Sequence, residues 1–66
     1  MNKVKGYRTM LGLTQEEMAK KLGISVVAYR LKENEEREFT RKEMIMFVDV
    51  IKSYDSSVTL DSIFLS

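Results

Sequence analysis

The chain has 66 residues, with 11 basic and 10 acidic side chains, a formal net charge of +1, and neither cysteine nor histidine. This length suffices for one small domain over residues 1–66, because a domain of about 60 residues buries only about 60% of the surface that its unfolded chain exposes. The missing cysteines exclude disulfides and thiolate metal sites, and the missing histidines remove the commonest general base and metal ligand.

The first predicted helix runs from about Asn2 to Leu11, where apolar residues recur at helical spacing. Arg8 follows Val4 by four positions and therefore lies on or beside the apolar stripe. A charge in that position needs a partner if it is buried. The apolar stripe is expected to consist of Val4, Tyr7, Met10 and Leu11.

Thr14 begins the second predicted helix, because Glu17 follows three residues later as in a capping box. The hydroxyl would accept from the backbone N–H of Glu17, and the carboxylate would reach back to the N–H of Thr14. Gly23 lies where a left-handed cap would end the helix. The inward face of this helix is expected to consist of Met18, Ala19 and Leu22.

A tight turn separates the second helix from the third. Only Ile24 lies between Gly23 and Ser25, and serine is a good N-cap for a helix over residues 26–33. Two short helices joined by a glycine turn are the layout of a helix-turn-helix. The small side chain of Ala19 favours this layout, because it lets the two helices cross closely.

Two further helices are predicted after a charged loop over residues 34–39. Thr40 and Glu43 form a second capping box, which begins a fourth helix extending to about residue 53. Thr59 can cap a last short helix. The sequence therefore predicts an all-α fold, a compact five-helix domain with no room for a sheet. The buried apolar residues of the last two helices are expected to be Met44, Phe47, Val48, Ile51, Leu60, Ile63 and Phe64.

Charge is unevenly distributed along the chain. Residues 1–42 hold ten basic and six acidic side chains, a net charge of +4, whereas residues 43–66 carry a net charge of −3. The basic part is where a polyanion would dock. Since the asymmetry is mild, a neutral solvated surface is the alternative.

The segments LGLTQEEMAKKLGIS, YRLKEN, EFTRKEM and VTLDSIF follow one another along the chain. Together they resemble the phage-repressor/Cro-like (XRE) helix-turn-helix family, and the resemblance spans Val4 to Phe64. It implies a repressor-like domain whose third helix lies in the major groove of double-stranded DNA. It also implies an ion pair between Arg8 and Glu33, which would tie the first helix to the end of the third.

The resemblance also implies which residues contact DNA. Gln15, at the start of the second helix, would donate to a phosphate, and Asn34 matches a phosphate-contacting asparagine. The N-terminal residues of the third helix would lie nearest the base edges. The expected DNA-binding residues are Gln15, Ser25, Val26, Val27, Ala28, Arg30, Leu31, Lys32, Asn34 and Arg37.

Three of these residues are apolar, and they leave a second interpretation open. Val26, Val27 and Leu31 can contact a thymine methyl group but cannot donate a hydrogen bond to a base. They could instead form a protein–protein patch, or part of the core if the helix is rotated. Rotation is disfavoured because Tyr29 already fills the expected inward position.

Two carboxylates follow the third helix. Glu35 and Glu36 stand where the family often has a glycine and a basic residue, and both would repel phosphate. The leading hypothesis is a sequence-specific transcriptional regulator, a repressor of phage or mobile-element type. The alternative is a protein-interaction module of the same fold, resembling an antirepressor or an antitoxin, with weak DNA binding.

The remaining expectations concern enzymatic activity, cofactors, localisation and self-association. No nucleophile–base pair is visible, so we expect no enzymatic activity, cofactor or metal. No apolar run approaches the roughly 20 residues that span a bilayer, and nothing resembles a signal peptide, so we expect a cytoplasmic protein. A second copy of the chain is an expected partner, unless the apolar residues at the C-terminus merely close the core. Those residues are Val58, Leu60, Ile63, Phe64 and Leu65.

Overall fold

Five helices form within residues 3–65, which is the part of the chain that the computed structural model describes. No strand occurs in this range, so the predicted all-α class is confirmed. The predicted start of the first helix, Asn2, lies outside the described residues. The helices are α1 (Val4–Met10), α2 (Gln15–Leu22), α3 (Val26–Glu33), α4 (Arg41–Lys52) and α5 (Leu60–Phe64).

Side-chain caps fix where α2 to α5 begin, and both predicted capping boxes are confirmed. The Thr14 hydroxyl accepts from the Glu17 N–H at 3.0 Å, and the Thr14 N–H donates to the Glu17 carboxylate at 2.8 Å. Thr40 and Glu43 repeat this pair of bonds at 3.2 and 2.9 Å. Each box satisfies amide donors that have no partner within the helix, so the start of the helix is a local property of four residues.

Every helix contributes to one buried cluster, which also includes two residues from the connecting loops. Phe39 lies in the segment predicted as a charged loop, yet its side chain is buried. Its ring bridges Tyr29 of α3 and Phe64 of α5 in edge-to-face contacts, with centroid distances of 6.1 and 5.4 Å. The loop after α3 is thereby attached to the core. The cluster consists of Val4, Met18, Ala19, Leu22, Tyr29, Phe39, Phe47, Val48, Ile51, Val58 and Ile63.

Two predictions about apolar residues are wrong in part. Met10 does not join the buried stripe of α1, because its side chain is 63% exposed. Val58 and Ile63 cannot form a dimer surface, because both are buried in the core, as the alternative interpretation expected. Of the C-terminal apolar residues, Leu65 is 70% exposed, while Leu60 and Phe64 pack against the core and are only partly buried.

The buried carboxylate of Glu33 joins the first three helices, as the resemblance implied for Arg8. The Arg8 guanidinium donates from Nε to Oε2 at 2.7 Å and from Nη2 to Oε1 at 3.0 Å. Its Nη1 donates to the carbonyl of Leu13 at 2.7 Å. Tyr29 donates its hydroxyl to Oε2 at 2.6 Å, and Gln15 donates its amide to Oε1 at 3.0 Å. The carboxylate therefore accepts from α1, α2 and α3.

These donors keep Glu33 ionised although its side chain is only 1% exposed. Burial by itself raises the pKa of a carboxyl group, because it penalises the charged form. The hydrogen bonds from Arg8, Tyr29 and Gln15 outweigh that effect, so the pKa of Glu33 lies below its ordinary value. A depressed pKa means that the ionised carboxylate stabilises the folded state.

Glycine substitutions should test the backbone conformation at the end of α2. Gly23 is left-handed, with φ of 71°, and an L side chain there costs about 1 kcal/mol or more. Gly6 lies inside α1, where an added Cβ would meet nothing within 4 Å, so alanine should stabilise by about 1 kcal/mol. We therefore expect Gly23→Ala to lower the melting temperature and Gly6→Ala to raise it. Shifts of the same sign in thermal unfolding would contradict this.

The pH dependence of stability should depend on Glu33. Glu33→Gln leaves the Arg8 charge unpaired in a buried site and should cost about 3–5 kcal/mol at pH 7. The carboxylate's contribution is present above its unfolded pKa of about 4.3 and is lost as the pH falls through the lower folded pKa. The two proteins should therefore converge in stability in acid. Urea unfolding from pH 7 downward measures this convergence.

Two further variants serve as a milder change in the same network and as a control. Tyr29→Phe removes one donor from Glu33 and should cost about 1–2 kcal/mol, so it remains measurable if Glu33→Gln does not fold. Glu38→Gln changes an exposed residue and should shift stability by less than about 0.5 kcal/mol. If Glu33→Gln melts like this control, the ion pair does not stabilise the fold.

Candidate nucleic-acid interface

The turn between α2 and α3 fixes the angle between these two helices. The Gly23 N–H donates to the carbonyl of Lys20 at 3.2 Å, and the Ile24 N–H donates to that of Ala19 at 3.1 Å. This pair of bonds around a left-handed glycine is a Schellman motif. Ser25 then begins α3, because its hydroxyl accepts from the Ala28 N–H at 3.1 Å. The predicted helix-turn-helix is therefore present.

The outward face of α3 carries four of the predicted DNA-binding residues. Tyr29 and Glu33 are buried on the inward side of the helix, so the residues that follow the 3.6-residue period on the opposite side face solvent. An α-helix fits into the major groove of DNA, which is about 12 Å wide. The outward face consists of Val27, Arg30, Leu31 and Asn34, at positions i, i+3, i+4 and i+7.

The three apolar residues of α3 have different environments. Val27 is 59% exposed, which is high for a valine. Leu31 is partly exposed on the same face. Val26, in contrast, is partly buried against the core and partly exposed, so of the three it alone fits the core interpretation, and only in part. Exposed apolar side chains on a helix face are suited to contact thymine methyl groups or a partner protein.

Gln15 has a more constrained environment than the sequence indicated. Its amide Nε2 donates to Glu33 at 3.0 Å, and its Oε1 accepts from Arg30 Nε at 3.4 Å. A primary amide has two N–H donors, of which Glu33 takes one. The sequence alone did not indicate that Gln15 connects the buried ion pair to Arg30.

Lys32, which the sequence predicts at the DNA interface, is engaged on another side of α3. Its ammonium group donates to Glu43 Oε1 at 2.6 Å, and its side chain is only 11% exposed. Glu43 is also the carboxylate of the second capping box. Although burial opposes ionisation, bonds from Lys32 and Thr40 hold the pKa of Glu43 below its ordinary value. Lys32 therefore attaches α3 to the start of α4, and its contact with DNA stays a prediction.

The segment after α3 turns sharply at a glutamate. Glu35 has φ of 64°, a left-handed conformation that favours glycine. The N–H groups of Glu35 and Glu36 donate to the carbonyls of Lys32 and Leu31 at 3.1 and 2.9 Å. Those two bonds form a second Schellman motif. The turn exposes Asn34, both glutamates and Arg37.

The exposed charges near this turn have both signs. Arg37 in the loop and Arg41 and Lys42 in the first turn of α4 are exposed. They are candidates for phosphate contacts, while Glu35 and Glu36 oppose them electrostatically. Within residues 3–65, no group of three acidic, histidine or cysteine side chains is placed to hold a metal ion. The same residues include no helix with the length and apolar character needed to cross a membrane.

Comparison with known proteins identifies one family. A helix-turn-helix family model (HTH_3), of the XRE/Cro/C1 type, matches residues 4–53. This range covers α1 to α4, and therefore includes the turn, α3 and the partners of Glu33. No curated protein and no solved structure matches the chain. The chain thus belongs to the XRE-type helix-turn-helix family of DNA-binding transcription regulators.

Proposed function

We propose that this regulator is a sequence-specific repressor of phage or mobile-element type that reads the major groove with α3. The observation that carries the proposal is the exposed outward face of α3. Tyr29 and Glu33, buried on the other side, hold that face away from the core. Membership of the XRE-type family supports double-stranded DNA as the partner. A protein that occupies its operator in this way represses by excluding other proteins from the same DNA.

The residues of α3 and its C-cap are proposed to make two kinds of contact, apolar contacts to bases and a hydrogen bond to a phosphate. Val27 and Leu31 would pack against thymine methyl groups, which are exposed in the major groove. Asn34 follows the last residue of α3 and has a side-chain amide that can donate to a phosphate. Val26, Ala28 and the Ser25 cap lie at the N-terminal end of α3, which approaches the bases most closely.

Phosphate anchoring would come from both sides of α3. Gln15 lies at the first residue of α2, where helix N–H groups favour anions, and it contacts Arg30. Arg37, Arg41 and Lys42 lie beyond the other end of α3. Contacts of this kind position the protein on the duplex but carry no base information.

A second copy of the chain is part of the proposal. Leu65 is exposed, and Leu60 and Phe64 of α5 are only partly buried, so these three residues are the candidates for a small apolar contact. Two-fold pairing would place two copies of α3 in successive major grooves. The operator would then be an inverted repeat.

Selection from a random pool of duplexes should yield such an inverted repeat, with half-sites about 34 Å apart. Affinity for the selected duplex should fall with salt, with a log–log slope of about −0.9 for each phosphate neutralised and about four contacts per protomer. A slope near zero, or a pool without an enriched sequence, would exclude the repressor function.

Val27→Ala should then reduce discrimination between the selected site and a variant that lacks the contacted thymine, by up to about 1 kcal/mol. Ile45→Ala is the matched control. Ile45 is an apolar residue on α4, 43% exposed and outside the proposed interface. Equal losses for the two variants would contradict base reading by Val27.

The alternative function is a protein-interaction module with weak DNA binding. It is favoured by two features of this surface: Val27 is an exposed apolar residue on α3, and Glu35 and Glu36 after that helix repel phosphate and would attract a basic protein. Removal of these carboxylates separates the two functions. It should tighten DNA binding if the protein is a repressor and weaken the binding of a basic protein if it is an interaction module.

The double change Glu35→Gly and Glu36→Lys should tighten binding to all duplexes alike and steepen the salt slope by about one unit for each new phosphate contact. Glycine at φ of 64° should also raise stability by about 1 kcal/mol, so the melting temperature is measured in parallel. Asp49→Lys, a charge reversal at an exposed site on α4, is the control for the same charge reversal as Glu36→Lys at a distant site. Unchanged DNA affinity combined with loss of a co-purified basic protein would favour the interaction module.

A further inference from the structure

The side-chain amide of Gln15 is bonded at both of its ends. Nε2 donates to Glu33 Oε1 at 3.0 Å, and Oε1 accepts from Arg30 Nε at 3.4 Å. An ionised carboxylate can only accept hydrogen bonds, so Glu33 requires the NH₂ end of the amide to face it. The carbonyl end is consequently turned toward Arg30. The orientation of Gln15 therefore follows from the charge state of Glu33.

The buried Glu33 thereby determines the position of an exposed side chain, that of Arg30. Glu33 is held by two bonds from Arg8 and one from Tyr29, and its side chain is 1% exposed. Arg30, in contrast, is exposed on the outward face of α3. Among residues 3–65, neither Nη atom of Arg30 has a hydrogen-bond partner. Its Nε is held by Gln15, and its terminal nitrogens remain available to a ligand.

We infer that Gln15 is a positioning residue that acts on DNA through Arg30, whose guanidinium contacts a backbone phosphate beside the N-terminus of α2. The inference rests on the proposed DNA-binding function and assigns the phosphate contact to Arg30 instead of Gln15.

Two features favour phosphate as the ligand of Arg30. The bond to Gln15 draws the guanidinium toward the first turn of α2, whose backbone N–H groups favour anions while its carboxylates, Glu16 and Glu17, oppose them. The two terminal nitrogens of arginine also match the spacing of two phosphate oxygens. Holding Nε in place reduces the rotamer freedom that Arg30 must lose on binding, which strengthens the contact.

A double-mutant cycle on duplex DNA tests this coupling without knowledge of the operator, because phosphate contacts are independent of sequence. The probe is a 20-base-pair duplex of random sequence at low salt. Arg30→Ala should weaken binding about tenfold and make the salt slope shallower by about 0.9. Gln15→Ala should weaken binding by about threefold in the parent protein and not at all in the Arg30→Ala background.

Two further variants separate positioning from charge. Arg30→Lys retains the charge but lacks the guanidinium Nε–H, so Gln15→Ala should have no effect in that background while much of the affinity remains. Lys52→Ala is the charge-matched control, at an exposed residue in the last turn of α4, and its effect should simply add to that of Gln15→Ala. All proteins are compared where circular dichroism shows them folded, and Gln15→Met replaces Gln15→Ala if the latter unfolds.

A measurement on the free protein tests the positioning independently of DNA. The Nε–Hε resonance of Arg30 in a ¹H–¹⁵N spectrum should be protected from exchange in the parent and should shift and exchange faster in the Gln15 variant. If it is unchanged, Gln15 does not position Arg30. If the DNA-binding loss from Gln15→Ala persists without Arg30, Gln15 contacts DNA itself, and the inference is wrong.

The remaining outcomes separate this inference from the proposed function. If the loss from Arg30→Ala varies with the base sequence, the ligand is a guanine edge and the phosphate assignment is wrong. If the parent protein binds no duplex, the proposed function fails, and the resonance of Arg30 still decides whether Gln15 positions it.

Discussion

One buried carboxylate, that of Glu33, determines how the first three helices meet. A charge with 1% of its side chain exposed would be strongly unfavourable without partners. Arg8, Tyr29 and Gln15 supply four hydrogen bonds, and these donors lie on α1, α3 and α2. Because the donors must converge on two oxygen atoms, the network fixes the rotation of α3 about its own axis. That rotation decides which residues of α3 face solvent.

The sequence predicted the parts of this fold that depend on neighbours along the chain. Thr14 with Glu17 and Thr40 with Glu43 each act across three residues, so their letters alone identify the helix starts. Gly23 similarly marks a turn whose bonds stay within a few residues. The bond between Arg8 and Glu33 spans 25 positions, and it was predicted only through the resemblance to a family.

Contacts that depend on how the helices cross could not be predicted in this way. Lys32 and Glu43 lie 11 positions apart, and their pairing requires that the end of α3 meet the start of α4. Phe39 is surrounded by charged residues in the sequence, so its burial is decided by the rings of Tyr29 and Phe64. Lys32 therefore joins α3 to α4, a role that the residues next to it in the sequence do not indicate.

Because Glu33 supports both the fold and the orientation of Gln15, the proposed DNA contact through Arg30 would be coupled to stability. A substitution in the network changes the population of folded protein and the arrangement of Arg30 together, so affinity alone cannot assign a role to any of its members. Val27 and Arg30 lie outside the buried network and can be changed with little effect on the core. The outward face of α3 is thus free to vary in sequence, while the residues that orient it are constrained by the energetics of a buried charge.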